Sequence, residues 1–184
     1  MPVSQILQAS LASGVPSSVA RSALPTGSVL QVVSTAKTDT FTSSAASTWT
    51  DITGLSASIT PTSSSSRIMV VVSMFGVFWQ QGYNGCILRL LRGATNIGGG
   101  DAAGSRQSCI GTQVAGTAAL NTDSGVQYHF SFVDSPATTS STTYKLQFWQ
   151  DTPGAPIYVN RTRADDNNAT FPRTSSSITV LEIA

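Results

Sequence analysis

The chain has 184 residues, of which only 10% are charged, and its ten basic and nine acidic residues leave a formal net charge of +1. A duplex-binding surface that neutralises about six to ten phosphates needs that many Lys and Arg on one face, and the scattered basic residues here contain no such run, which argues against nucleic acid as a partner. The length suits one sizeable core rather than two, and 40% hydrophobic content is enough to build it.

Ordinary soluble domains carry about 25% charged residues; here serine and threonine fill the gap and predict a neutral, hydroxyl-rich surface. The longest apolar run, "IMVVVSMFGVFW" at 68–79, is broken by Ser73. It is far shorter than the roughly 20 residues a membrane-spanning helix needs. The opening "MPVSQILQASLASGV" lacks a basic n-region and a long apolar h-region, so no secretory signal is expected.

Residues 1–26 read as a docking arm. Ser4 can cap a short helix with Ile6, Leu7 and Leu11 on one side, ended by Gly14 and Pro16. A helix that short is marginal alone and needs a partner surface. From Gly27 to the end the helical period disappears, and 27–184 reads as one β-sandwich domain. Strands are predicted at 28–36, 38–42, 48–53, 55–60, 67–79, 84–92, 126–134, 143–150, 156–161 and 176–183, bounded by Gly, Pro, Ser and Thr.

Val126, Tyr128, Phe130 and Phe132 alternate with Gln127, His129 and Ser131, giving one buried and one wet face. Tyr144, Leu146 and Phe148 repeat the pattern against Lys145 and Gln147, and Pro136 keeps the intervening loop out of a ladder. Regular short strands of this kind predict an all-β, jelly-roll-like antiparallel sandwich. Strand 67–79 is apolar on both sides: Met69, Val71, Phe75 and Val77 on one, Ile68, Val70, Val72, Met74 and Phe78 on the other. A strand of a simple sandwich should show one polar face. Met69, Val71 and Phe75 are therefore expected to lie under a cover, supplied by Ile6, Leu7 and Leu11 of the arm or by another subunit of a homo-oligomer.

Little in the chain suggests catalysis. His129 is the only histidine and sits on a predicted polar face, while Cys86 and Cys109 are too few for a disulfide framework. Cys86 shares a face with Leu88 and Leu90 and reads as a buried free thiol. One histidine and two distant cysteines exclude a His/Cys metal site. Glu182 is the only glutamate, so a paired-carboxylate hydrolase would have to use aspartates. "RADDNNAT" at 163–170 lacks EF-hand spacing and reads as a solvated loop. The sequons at Asn160 and Asn168 read as accidents of composition. No cofactor, no metal and no enzymatic activity are expected.

Two stretches could bind. "FWQQGYNG" and "FWQDTPGAPIYVNR" each place Trp-Gln at a strand end beside turn residues. Aromatic rings beside amides suit stacking on sugars. The candidate glycan platform comprises Trp79, Gln80, Gln81, Tyr83 and Asn84, or Trp149, Gln150 and Tyr158; the alternative is that these rings seal the sandwich or a subunit seam. In "RLLRGATNIGGGDAAGSR", 89–106, a phosphate-binding loop would need Gly-Lys-Ser/Thr leading into a helix. Neither follows, so Gly98 to Gly104 read as a bend that adopts positive φ, with Asp101 and Arg106 paired across the loop or a subunit seam.

The strands from "GSVLQVVSTAKTDTFTSSAASTWTDITGLSASITPTSSSSRIMVVVS" through "LLRGATNIGGGDAAGSR", "FVDSPATTSSTTYKLQF" and "YVNR" to "SSITVLEIA" resemble, in order, a β-module of bacteriophage virion proteins, notably tail-fibre-like and other exposed structural proteins. The resemblance covers nearly everything after the arm. It implies an oligomeric, homotrimeric virion protein, assembled in the bacterial host cytoplasm, with no catalytic residues to carry over. Only a short segment precedes the module, unlike in a long fibre. Three roles follow as expectations: a structural and attachment protein anchored to other virion proteins by its arm and touching a host glycan; a capsid decoration or cement protein; and, disfavoured by the scarcity of acidic and histidine residues, a polysaccharide depolymerase.

Overall fold

The computed structural model describes residues 23–78, 85–114, 125–151, 153–154 and 156–184. Among the described residues eleven strands form two antiparallel sheets: β1 (Val29–Lys37), β2 (Phe41–Ser43), β3 (Thr50–Ile59), β4 (Arg67–Phe78), β5 (Gly85–Arg92), β6 (Thr95–Ile97), β7 (Gly111–Val114), β8 (Val126–Asp134), β9 (Thr142–Gln150), β10 (Ile157–Val159) and β11 (Ser176–Ile183). Several are fragments of one lane. Along one side β4 pairs with β8, and along the other with β11 and then β10, placed end to end. β1 and β2 pair with β11 and β10 in the same way, and β7 and β6 share one side of β5.

Counted by lanes, the first sheet is β1/β2, β11/β10, β4, β8 and the second is β3, β9, β5, β6/β7. In chain order the lanes read 1-8-3-6 and 2-7-4-5, the jelly-roll arrangement of two interleaved Greek keys. The all-β, jelly-roll-like reading is therefore observed in the described residues. Two expected strands, 48–53 and 55–60, are one: β3 runs through both with a register shift between Asp51 and Ser56, where Gly54 takes φ +82°. β7 was not expected, and residues 1–22 lie outside the described residues.

Alternation decides what lies between the sheets. Ile68, Val70, Val72 and Met74 of β4, Ile178 and Val180 of β11, Leu88 and Leu90 of β5, and Tyr144, Leu146 and Phe148 of β9 are buried together, with Cys86 among them. Burial pushes the Cys86 thiol up, which keeps it protonated and unreactive. At one pole Asp134 of β8 ties the sheets together, accepting from Arg92 Nη1 at 2.9 Å and from the Tyr144 hydroxyl at 2.7 Å. Burial, reinforced by that bond, raises the Tyr144 phenol.

The two broken lanes of the first sheet meet at Asn160. This fully buried residue sits at φ +62°, where the chain leaves β10 for the excursion 160–175. Its Nδ2 donates to the carbonyls of Lys37 at 2.8 Å and Asp39 at 2.9 Å, closing the gap between β1 and β2. Its Oδ1 accepts from Ser176 Oγ at 2.6 Å, where β11 begins. Its own N–H donates to the Phe75 carbonyl at 3.2 Å on β4. Asparagine suits the position because it tolerates the left-handed region and carries both a donor and an acceptor.

A second knot fixes the connection 60–66. The buried Glu182 carboxylate accepts from Gln31 Nε2 at 2.6 Å, from the Thr62 N–H at 2.8 Å and its hydroxyl at 2.6 Å, and from Ser66 Oγ at 2.6 Å. Burial alone would raise its pKa, but the bonds from Ser66, Thr62 and Gln31 outweigh it and lower the value to about 2.

Two predictions follow from these knots. Asn160→Gly keeps the backbone angle but strips buried carbonyls and a hydroxyl of their partner, so it should lose about 3 kcal/mol in urea denaturation, and Asn160→Ala about 1 more; a loss under about 1 kcal/mol in both would contradict the role. Because the folded pKa of Glu182 lies below its unfolded value, its contribution is present above about pH 4.5 and is lost as pH falls towards 2. Between pH 6 and 2, wild type should therefore lose about 3 kcal/mol more than Glu182→Gln; parallel pH profiles would refute this.

Candidate functional site

The outward side chains of the two sheets differ in chemistry. On the first sheet, Val32 lies opposite Leu181, Leu181 opposite Met69, and Met69 opposite Val133, so one apolar row crosses all four lanes. Val29, opposite Ile183, extends it at the β1 edge. The next row is Ser34, Thr179, Val71 and Ser131, with the Ser34 and Thr179 hydroxyls 2.8 Å apart. Then come Ala36, Ser177, Ser73 and His129, and beyond them Phe75 opposite Gln127. From Val29 to Phe75 only Arg67 and His129 on this face can carry charge. Small residues leave an open depression of about 310 Å³ beside Val71, Ser73, His129 and Ser131.

Among the described residues the exposed large hydrophobic side chains are Val29 (52%), Val32 (55%), Val71 (37%), Val126 (36%) and Val133 (46%). All five belong to strands of the first sheet, and all but Val126 point outward from it. Met69, Val71 and Phe75, expected to share a face, do so. Phe75 reaches sideways over Gly125, where a Cβ would collide with its ring.

The second sheet presents the opposite. Arg89, Gln147 and Asp51 lie side by side on adjacent strands. Gln147 Oε1 accepts from Arg89 Nε at 2.8 Å and Nη2 at 2.5 Å, while its Nε2 donates to Asp51 Oδ1 at 2.6 Å. Lys145 Nζ reaches Asp51 Oδ2 at 2.7 Å. Partial burial opposes ionisation of Asp51, but the bonds from Lys145 and Gln147 prevail and its pKa is lowered. The Arg89 guanidinium lies 4.0 Å over the Trp49 ring, a cation–π contact. This face carries a charged, internally bonded cluster, and Ile87 and Leu91 of β5 share its side, with Leu91 buried.

Trp149 stands two residues from Gln147 and shares the outer face of the second sheet. Tyr158 points outward from the first sheet, under the Arg161 guanidinium at 4.9 Å from its ring. The two rings are on opposite faces of the sandwich and do not form one platform. Gln150 turns inward, is buried, and donates to the Ala45 carbonyl at 3.0 Å. Trp79, Gln80, Gln81, Tyr83 and Asn84, and Ile6, Leu7 and Leu11 of the arm, lie outside the described residues. Trp49 and its link to Arg89 were missed; its position two residues before Asp51 on a strand was the available signal.

The glycine-rich stretch is a detour of one lane. Gly93 (φ +58°) turns β5 into β6, and residues 98–110 leave the lane and return at β7, with the Ile110 N–H donating to the Leu88 carbonyl at 2.9 Å. Gly98 and Gly104 take positive φ, whereas Gly99 is needed because a Cβ would strike Ser108 Oγ. Asp101 and Arg106 are exposed and form no ion pair with each other, so the expected pairing across the loop is absent. Asp165 is held by Arg161 at 3.3 Å and Arg173 at 2.7 Å. Among the described residues no group of three His, Cys, Asp or Glu is placed to hold a metal ion, and no helix is long and apolar enough to cross a membrane.

No family model and no curated protein matches the chain. Solved structures that it resembles include infectious bursal disease virus of the Gx strain (16% identity, TM-score 0.38, 92% of this chain and 44% of that one) and of the Gt strain (17%, 0.38, 93% and 40%). A third is the VP2 subviral particle of the same virus (15%, 0.36, 84% and 42%). The chain spans less than half the length of each of these viral proteins, and superpositions this loose assign no role.

Proposed function

We propose that the chain is a non-enzymatic structural protein of a bacteriophage virion, tail-fibre-like, that assembles as a homotrimer. In this reading residues 1–26 anchor it to other virion proteins and one end of the sandwich meets the host surface. The observation that carries the reading is the outer face of the first sheet, which is almost uncharged and holds Val29, Val32, Val71 and Val133 in the open. Burying an exposed Val side chain contributes about 1.5 kcal/mol or more, so a face of this kind gains by being covered. The charged face of the second sheet has no such need and remains in water.

The fold is compatible with this role without selecting it, since viral capsid, lectin and cupin domains share the jelly roll. Strands β2, β4, β7 and β9 end, and β3, β5, β8 and β10 begin, at one pole. That pole brings together the ends of the two Trp-Gln strands and is the proposed site of glycan contact. The same neutral face also favours a second reading, capsid decoration, in which the shell rather than a sister copy covers it. A few trimers per particle would support the tail, and hundreds the head.

In sedimentation velocity the wild-type 19.1 kDa chain should run as a trimer. Val71→Lys, which puts a charge in the middle of the neutral face, should weaken association at least about tenfold, and Lys145→Ala should leave it unchanged. A monomeric wild type, or a Val71→Lys variant that still forms trimers, would refute the homotrimer.

A further inference from the structure

Sheet edges left unpaired invite other strands, and folds normally blunt them. Three of the four edges here are blunted. β1 has a bulge between Val29 and Gln31, a break before β2, and the inward side chain of Lys37, 1% exposed. β3 has the register shift at Gly54. β6 and β7 are three and four residues long, split by the detour 98–110.

The fourth edge is β8. Its nine residues pair with β4 without a register shift, from Val126 opposite Gly76 to Asp134 opposite Ile68, and contain no Pro, Gly, Lys or Arg. Among the described strands β4 is its only neighbour. On the side away from β4, the backbone of His129–Val133 is engaged by no described strand.

The surface that needs a cover and the edge that needs a partner match chemically. Ser34, Thr179, Ser177 and Ser73 form a hydroxyl-bearing strip between the apolar row of Val32, Leu181 and Met69 and Phe75, and the depression beside Val71 and Ser73 adjoins it. Hydroxyls both donate and accept, as the N–H and C=O groups of a strand edge require. Apart from Arg67 at the start of β4 and His129 on β8, neither surface carries an ionisable side chain that is not already engaged, since Asp134 is bound by Arg92 and Tyr144. A two-fold contact needs one self-complementary patch, whereas a ring needs two different patches on each copy.

We propose that the β8 edge of one copy docks onto the hydroxyl strip on the first sheet of the next copy, and that three such contacts close the ring. The inference rests on the homotrimer reading and names the two surfaces that meet. It sets Val133 of one copy beside the Val32–Leu181 row of its neighbour and leaves the charged second sheet outermost.

Disulfide trapping tests it. In a Cys109→Ser background, Thr179→Cys is combined in turn with Gln127→Cys, Ser131→Cys and Val133→Cys. Within one chain each pair is separated by the β4 lane, about 9.6 Å or more, too far for a disulfide, which needs Cα atoms within about 7 Å. At least one double variant should run as a covalent trimer on a non-reducing gel, while every single variant stays monomeric. A wild type that sediments as a trimer with no double variant trapped would overturn the contact. So would trapping by Thr179→Cys alone, which means face on face, or by a β8 cysteine alone, which means edge on edge. A monomeric wild type removes the homotrimer reading and this contact with it. Hydrogen exchange on the unmodified protein gives an independent readout: alternate amides of His129–Val133 should be protected at least about tenfold more in the trimer than in Val71→Lys, and equal exchange would overturn the proposal.

Discussion

The first sheet depends on one buried asparagine. Two of its four lanes are interrupted at the same level, between β1 and β2 and between β10 and β11. Without a bridge the gap would leave unpaired carbonyls inside the sandwich, at a cost of about 1–3 kcal/mol each. Asn160 fills it with its amide, bonding Lys37, Asp39 and Ser176 while its backbone holds Phe75. Sixteen residues can therefore leave the sheet between β10 and β11 (160–175) without splitting it. The uninterrupted outer surface of β4, β11 and β1 exists because that break is closed.

That surface gives the molecule its asymmetry. Both sheets have the same lane count and face the same core, yet one shows mainly Val, Ser and Thr outward and the other a cluster of Arg, Lys, Asp, Gln and Trp beside Ile87 and the buried Leu91. On the second sheet the charges satisfy one another, with Asp51 between Lys145 and Gln147 and Arg89 between Gln147 and Trp49. Exposed pairs of this sort add little stability; their effect is to keep the face wet. The valines of the first sheet do the opposite, and a subunit that must pack through one side and face water on the other needs both. A low charge content spread evenly would have produced neither.

Much of this was readable from the residues. Strict alternation in 126–134 and 143–150 gave those strands and their buried sides, and the two apolar sides of 67–79 identified the face that needs cover. Other features were illegible for definite reasons. β7 is too short to show a period, and the bend at Gly54 reads as a gap between two strands. Parity along a strand tells which residues share a side but not which sheet the strand joins, so Trp149 and Tyr158 looked like neighbours and lie on opposite faces. Asn160 read as part of a chance sequon, because its partners at Lys37, Phe75 and Ser176 come from strands far apart in the chain. Trp49 falls inside the expected strand 48–53 and lies just before β3; its contact with Arg89 of β5 is illegible because the two residues are forty positions apart.

If one sheet is covered on assembly and the other stays wet, carbene footprinting of the assembled and dissociated protein distinguishes them. Assembly should strongly reduce labelling of Val32, Val71 and Leu181, and leave Trp49, Lys145 and Trp149 labelled to the same degree in both states. Loss of labelling at Trp49 and Lys145 on assembly, with Val32 and Val71 unchanged, would contradict the account.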